Sequence, residues 1–106
     1  MFYIKQNDTS PAIQRQCLDY ADNPVNVTGA SVRFLMRPVG DSTVKVTGVG
    51  SVVDGATGLV KYQWSTGDTD TTGDFEAEFE VTYTDGTVET FPNTTYIKVK
   101  ITDDIA

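Results

Sequence analysis

Histidine is absent from this chain of 106 residues, cysteine and tryptophan occur once each, and proline occurs four times. The missing imidazole removes most familiar site chemistry. Without it there is no general base for a Ser-His-Asp set and none to activate a cysteine nucleophile. A single thiol builds neither a disulfide nor, without histidine, a zinc cage. Cys17 is therefore expected to be a small buried apolar residue. Cations are scarce as well: 8 Lys and Arg stand against 15 Asp and Glu, a net charge of −7. That balance disfavours nucleic acid and anionic membranes as partners. Arg33, Arg37, Lys98 and Lys100 are too scattered to form a phosphate track. No apolar run approaches the roughly 18 residues that a spanning helix needs, and the start, "MFYIKQNDTSPA", has no apolar segment of the kind a secretion signal carries. The expectation is a protein that works in the cytoplasm, or leaves it by lysis or assembly. No glycine loop that would cradle a phosphate and no cofactor fingerprint is present, so neither an enzyme nor a cofactor is expected.

What the chain does have is the vocabulary of short strands and tight turns. Threonine occurs 16 times, valine is frequent, and glycine recurs at short intervals. The length is that of one domain, 1–106, large enough for a single core. Strand signals run in order through Ala12–Tyr20, Ser31–Arg37, Thr43–Asp54, Leu59–Trp64, Phe75–Tyr83, "VETF" (88–91) and Tyr96–Ile101. Gly48 and Gly50 interrupt the third, which predicts a bulge or two short pieces. "TDGT" after Tyr83 reads as a hairpin turn of the Asp-Gly type. No window shows a helical period. About seven antiparallel strands at this spacing predict an all-β fold, an immunoglobulin-like β-sandwich, with 1–9 and 102–106 as loose ends. Parity places Val32, Phe34, Met36, Val60, Tyr62, Trp64, Phe75, Phe79, Val81, Ile97 and Val99 in its core.

The most regular stretch, "DFEAEFEVTY" (74–83), puts Glu76, Glu78 and Glu80 on one face. A flat sheet face provides no cleft to push two proton affinities apart, so these glutamates read as a solvated ladder offset by Lys98 and Lys100. "STGDTDTTGD" (65–74) offers Asp68, Asp70 and Asp74 as hard oxygen ligands for calcium, but D-x-D is common in polar loops. Side chains capping their own backbone are the favoured reading, and no metal is expected. Three Asn-x-Ser/Thr sequons, at Asn7, Asn26 and Asn93, read as incidental in a threonine-rich chain. Trp64 with Tyr62 could stack on a sugar, although their parity with Val60 favours burial. Phe2, Tyr3 and Ile4 are three large apolar residues ahead of the first confident strand. They read either as a segment that docks on a partner or as a first strand of the sandwich itself.

Several segments together resemble a known family. "IKQNDTSPAIQ", "VNVTGASVRFLMR" and "ATGLVKYQWSTGDTDTTGDFEAEFEVTYTDGTVETFPNTTYIKVKI" are similar to the N-terminal domain family of bacteriophage upper baseplate proteins, over roughly residues 2–101. The most specific parts are the W-x-x-G-D-T-D-T-x-G loop (64–73) and the following hairpin (75–92). The resemblance implies an immunoglobulin-like virion structural subunit in a tail or baseplate, held by other virion proteins in multiple symmetric copies. Members of that family usually continue into a second, receptor-proximal region, whereas this sequence ends at Ala106. Capsid or neck decoration is the alternative placement. A module that binds a host surface glycan is the competing class.

Overall fold

The strand that begins the acidic ladder organises the molecule. In the computed structural model, which describes residues 1–105, β7 (Gly73–Thr82) pairs antiparallel with β3 (Ser31–Pro38) along the whole of the latter. Alternation does the rest, because side chains two apart share a face. Val32 lies opposite Val81, Phe34 opposite Phe79 and Met36 opposite Ala77, and all six are buried. On the other face Arg33 meets Glu80 and Arg37 meets Glu76.

Seven further strands complete two sheets: β1 (Phe2–Lys5), β2 (Ile13–Gln16), β4 (Val46–Val49), β5 (Ser51–Asp54), β6 (Leu59–Tyr62), β8 (Val88–Phe91) and β9 (Ile97–Thr102). The larger sheet has the order β1-β9-β7-β3-β4, with β8 also on β7, and the smaller one is β2-β6-β5. No helix occurs among the described residues. The protein is an all-β sandwich with nine strands among the described residues, two more than the sequence signals, and one pairing departs from the antiparallel expectation. β1 lies parallel to β9, with Phe2 opposite Val99 and Ile4 opposite Ile101. The expected loose ends are therefore partly strand: Phe2–Lys5 forms β1, and Thr102 closes β9. The N-terminal segment is tied further by Asn7 N donating to Thr69 O at 3.0 Å and Thr69 Oγ1 donating to Asp8 O at 2.7 Å.

Gly48 and Gly50 mark where the chain crosses between sheets. β4 belongs to the larger sheet and β5 to the smaller. Gly48 lies opposite Phe34, where a Cβ would collide with the Tyr62 ring. A Cβ on Gly50 would stand 2.9 Å from Lys61 O and 2.9 Å from Val32 Cγ1. Both positions need glycine because the sheets approach too closely for a side chain.

Between the layers lies an aromatic centre. Phe34 stacks on Tyr62 with centroids 4.6 Å apart, meets Trp64 edge-on at 5.4 Å and touches Phe79 at 5.1 Å. All eleven core residues expected from parity are buried. Ile4, Ile13, Cys17, Val27, Val46, Phe91 and Ile101 are buried with them.

The segment expected as one strand over Ala12–Tyr20 is shorter. β2 ends at Gln16, and the chain then enters a turn closed by Asp19 N donating to Asn23 O at 2.9 Å and by a single bridge between Leu18 and Pro24. Asp19 supplies the reason. Its Oδ1 accepts from Ala21 N at 2.8 Å and Asn23 N at 2.9 Å, which holds the backbone in a turn rather than a ladder. The hairpin after β7 is a three-residue loop, Thr84-Asp85-Gly86, with Gly86 N donating to Tyr83 O and Gly86 at φ +89. Asp85 keeps a negative φ, so this is a type I turn followed by a left-handed glycine, not the two-residue form.

Candidate functional site

The glutamate ladder lies on the outer face of the larger sheet, as its parity requires. Its counter-charges come chiefly from β3. Arg37 Nη2 reaches Glu76 Oε1 at 3.0 Å and Arg33 Nη1 reaches Glu80 Oε1 at 3.4 Å. The expected lysines contribute less. Lys100 pairs with Asp74 at 3.5 Å, and Lys98 stands opposite Glu76 in register, but the glutamate turns to Arg37. Cross-strand geometry explains the correction, since β3 runs beside the whole ladder and β9 only beside Gly73–Ala77.

In the acidic loop the three aspartates take separate partners. Asp68 Oδ2 accepts from Tyr62 Oη at 2.5 Å and from Ser65 N at 2.8 Å, capping the turn that follows β6. Burial, reinforced by the bond to Asp68, raises the Tyr62 pKa above the ordinary phenol value. Asp70 pairs with Lys45 Nζ at 2.6 Å and accepts from Thr71 Oγ1 at 3.0 Å; the lysine holds its carboxyl below the usual carboxylate range. Asp74 faces Lys100 across the sheet. Among the described residues no set of three acidic or thiol side chains converges as a metal site would.

Trp64 and Tyr62, the candidate sugar platform, face inward, at 3% and 4% exposure. Trp64 Nε1 is buried with no hydrogen-bond partner among the described residues, so it offers no donor to a surface ligand. Cys17 is fully buried, and burial, with the Glu89 charge adding to it, pushes its pKa up to about 11. A thiol so held is neutral and unreactive at ordinary pH. Of the three sequon asparagines, Asn7 sits at φ +70 just after β1. Asn26 caps its own turn through Thr28 N at 2.9 Å, and Asn93 donates to Thr90 O at 2.9 Å.

The N-terminal trio divides by parity. Ile4 is buried, and Phe2 is half-buried against Trp64 with centroids 5.9 Å apart. Only Tyr3 projects outward, at 63% exposure. β1 is the last strand of its sheet, so one of its edges carries backbone groups with no strand beside them. A groove of about 300 Å³ lies at the strand, lined by Tyr3, Ile4 and Lys5 of β1, by Asp8 and Pro11 after it, and by Thr102 of β9.

No sequence signal announces a second cleft, of about 320 Å³. It opens between the end of β2 with its turn (Arg15–Asp22) and the end of β8 with the loop after it (Phe91–Thr95). Its walls are far apart in sequence, so no local motif could reveal it, and Tyr20, its exposed aromatic, falls at the end of the stretch expected as a strand. The chain matches no protein-family model and no curated protein.

Proposed function

We propose that this chain is a non-enzymatic structural module of a bacteriophage particle, placed in the tail or baseplate, that docks on neighbouring virion subunits through the β1 side of the larger sheet. The reading includes an immunoglobulin-like character for the sandwich. Its sequence support is the likeness of the Trp64–Gly73 loop and the 75–92 hairpin to phage upper baseplate N-terminal domains.

The observation that carries the docking site is the state of β1. The strand is short and held on one side only, by β9, with Tyr3 outward beside the groove. A neighbour's extended segment fits such an edge by adding a strand: main-chain hydrogen bonds supply the affinity and the groove reads a side chain. Ile4 and Phe2 anchor the strand from within, so the edge is presented in a fixed position rather than ordered on binding. Repetition of one such contact around a symmetric particle needs no second site on the subunit.

The test is incorporation. Tyr3→Asp places a charge on the outward face of β1 without touching the core. The expected result is a protein that melts as the parent does but is missing from purified particles, as read by quantitative mass spectrometry. A Tyr3→Asp chain present at full copy number would overturn the reading.

A further inference from the structure

The geometry points to a binding site for a neutral saccharide in the cleft between the Leu18–Asp22 turn and the Pro92–Thr95 loop. It rests on other residues than the docking reading and stands or falls separately from it.

The cleft has an apolar floor and a polar rim. Leu18 and Pro92, both half-buried, supply the apolar surface of the floor, while Phe91 lies in the core behind it and offers a ligand almost no surface. Arg15, Asp19, Tyr20, Asp22, Asn93 and Thr94 contribute guanidinium, carboxylate, phenol, amide and hydroxyl groups around it. A pyranose ring has the complementary construction, with an apolar C–H face and a girdle of hydroxyls that both donate and accept. At about 320 Å³ the cleft is near the lower end of the range, roughly 300–1,000 Å³, in which small-molecule sites fall, and suits a short saccharide.

Tyr20 is the distinguishing group. It is 98% exposed, on a turn that offers it no packing partner. It is among the residues that line the cleft, and with only two side-chain torsions to fix it can close over a sugar face at modest ordering cost. Both walls are braced before any ligand arrives. Asp19 ties down the Tyr20 turn through Ala21 N and Asn23 N. Asn93 ties the opposite loop to Thr90 O at 2.9 Å and Glu89 Oε2 at 3.3 Å. Such bracing lowers the ordering cost of binding.

Charge selects among polar ligands. Arg15 is the one cation among the lining residues, against Asp19 and Asp22, and the whole chain carries −7. A phosphate or an acidic sugar would enter against that field, whereas a neutral sugar is indifferent to it.

The test is a titration of isotope-labelled protein, followed by backbone amide shifts. The probes are the methyl glycosides of glucose, galactose, mannose and N-acetylglucosamine, with N-acetylneuraminic acid alongside. Each is carried to about 50 mM, because a single small sugar is expected to bind with a Kd of the order of millimolar. The expected result is that at least one neutral glycoside shifts amides within 18–22 and 93–95. Tyr20→Ala, which removes a side chain with no packing role, should weaken that binding by about tenfold or more. Tyr3→Ala should leave it unchanged. The site is overturned if no neutral glycoside moves those amides, if only N-acetylneuraminic acid does, or if Tyr20→Ala binds as the parent does.

Discussion

Phe34 meets three other rings, Tyr62, Trp64 and Phe79, and so joins β3, β6 and β7 across the two layers. Truncation anywhere in this cluster leaves a void that close-packed neighbours cannot fill. Phe79→Ala should therefore cost roughly 3–5 kcal/mol, seen as a lowered urea midpoint; a parent-like midpoint would contradict the packing. Gly50 tests the opposite error. An added methyl would stand 2.9 Å from Lys61 O, a backbone atom that cannot rotate away, so Gly50→Ala should destabilise by about 1–3 kcal/mol. Cys17 adds a pH dependence. Burial raises its folded pKa from 9.0 to about 11, so between those values the unfolded thiol has lost its proton and the folded one keeps it. The unfolded state then binds fewer protons, and stability falls as pH rises through that window. Tyr62 and Tyr83, also raised mainly by burial, add to the loss at higher pH with the same sign. Cys17→Ala should flatten the fall nearest pH 9, measured as urea midpoints in a pH series. An unchanged slope would show that the thiol is not the group responsible.

At the level of elements, β8 and β9 are one strand with an interruption. Phe91 pairs with Phe79 and Ile97 with Ala77, so two residues of β7 span six on the partner and four are looped out. Four is even, and both Phe91 and Ile97 remain inward and buried. Deleting 93–96 together with Pro92→Thr, which lifts the ring's restriction on the backbone, should give a folded sandwich with a continuous strand. The same deletion removes one wall of the cleft, and with it the saccharide-induced amide shifts. An unfolded product would mean that the loop holds the strands rather than decorating them. Alternation made β3, β7 and β9 legible, because each buries one face against the other sheet. β1 was not legible in this way. "FYI" has no alternation, and its partner β9 lies at the far end of the chain, so nothing local distinguishes a strand from a docking tail. The glycine break in 43–54 was visible, but which sheet each half joins depends on Tyr62 lying over Gly48, a contact between distant positions. Ile4 now allows a direct check of β1. Ile4→Ala should cost about 2–5 kcal/mol if the strand is part of the core, and almost nothing if it hangs free.

For the molecule as a whole, the surplus of carboxylates has a local origin. Asp19, Asp41, Asp68 and Asp85 each accept a backbone N–H in a turn, at 2.8–3.0 Å. The acidity thus follows from using aspartate to shape connections, and the −7 accumulates as a consequence. Among the described residues, surface ion pairs oppose it at Arg33–Glu80, Arg37–Glu76, Lys45–Asp70 and Lys100–Asp74. Each is weak, as exposed pairs are, and weakens further with salt. The repulsion among the uncompensated charges is spread over a body of 44 × 25 × 22 Å. At about 0.01 M salt the screening length is roughly 30 Å, so nearly all of those charges act on one another; near 1 M it is about 3 Å and they do not. Salt therefore removes more repulsion than attraction, while the turn caps, being direct hydrogen bonds, are unaffected. Raising sodium chloride from about 0.01 to 0.5 M should raise Tm. A fall in Tm would mean that the ion pairs outweigh the net charge. Calcium chloride at matched ionic strength separates screening from ligation. Asp68, Asp70 and Asp74 point to three different partners, so calcium should do no more than sodium; a calcium-specific rise in Tm would mean that the three turn from those partners to share an ion.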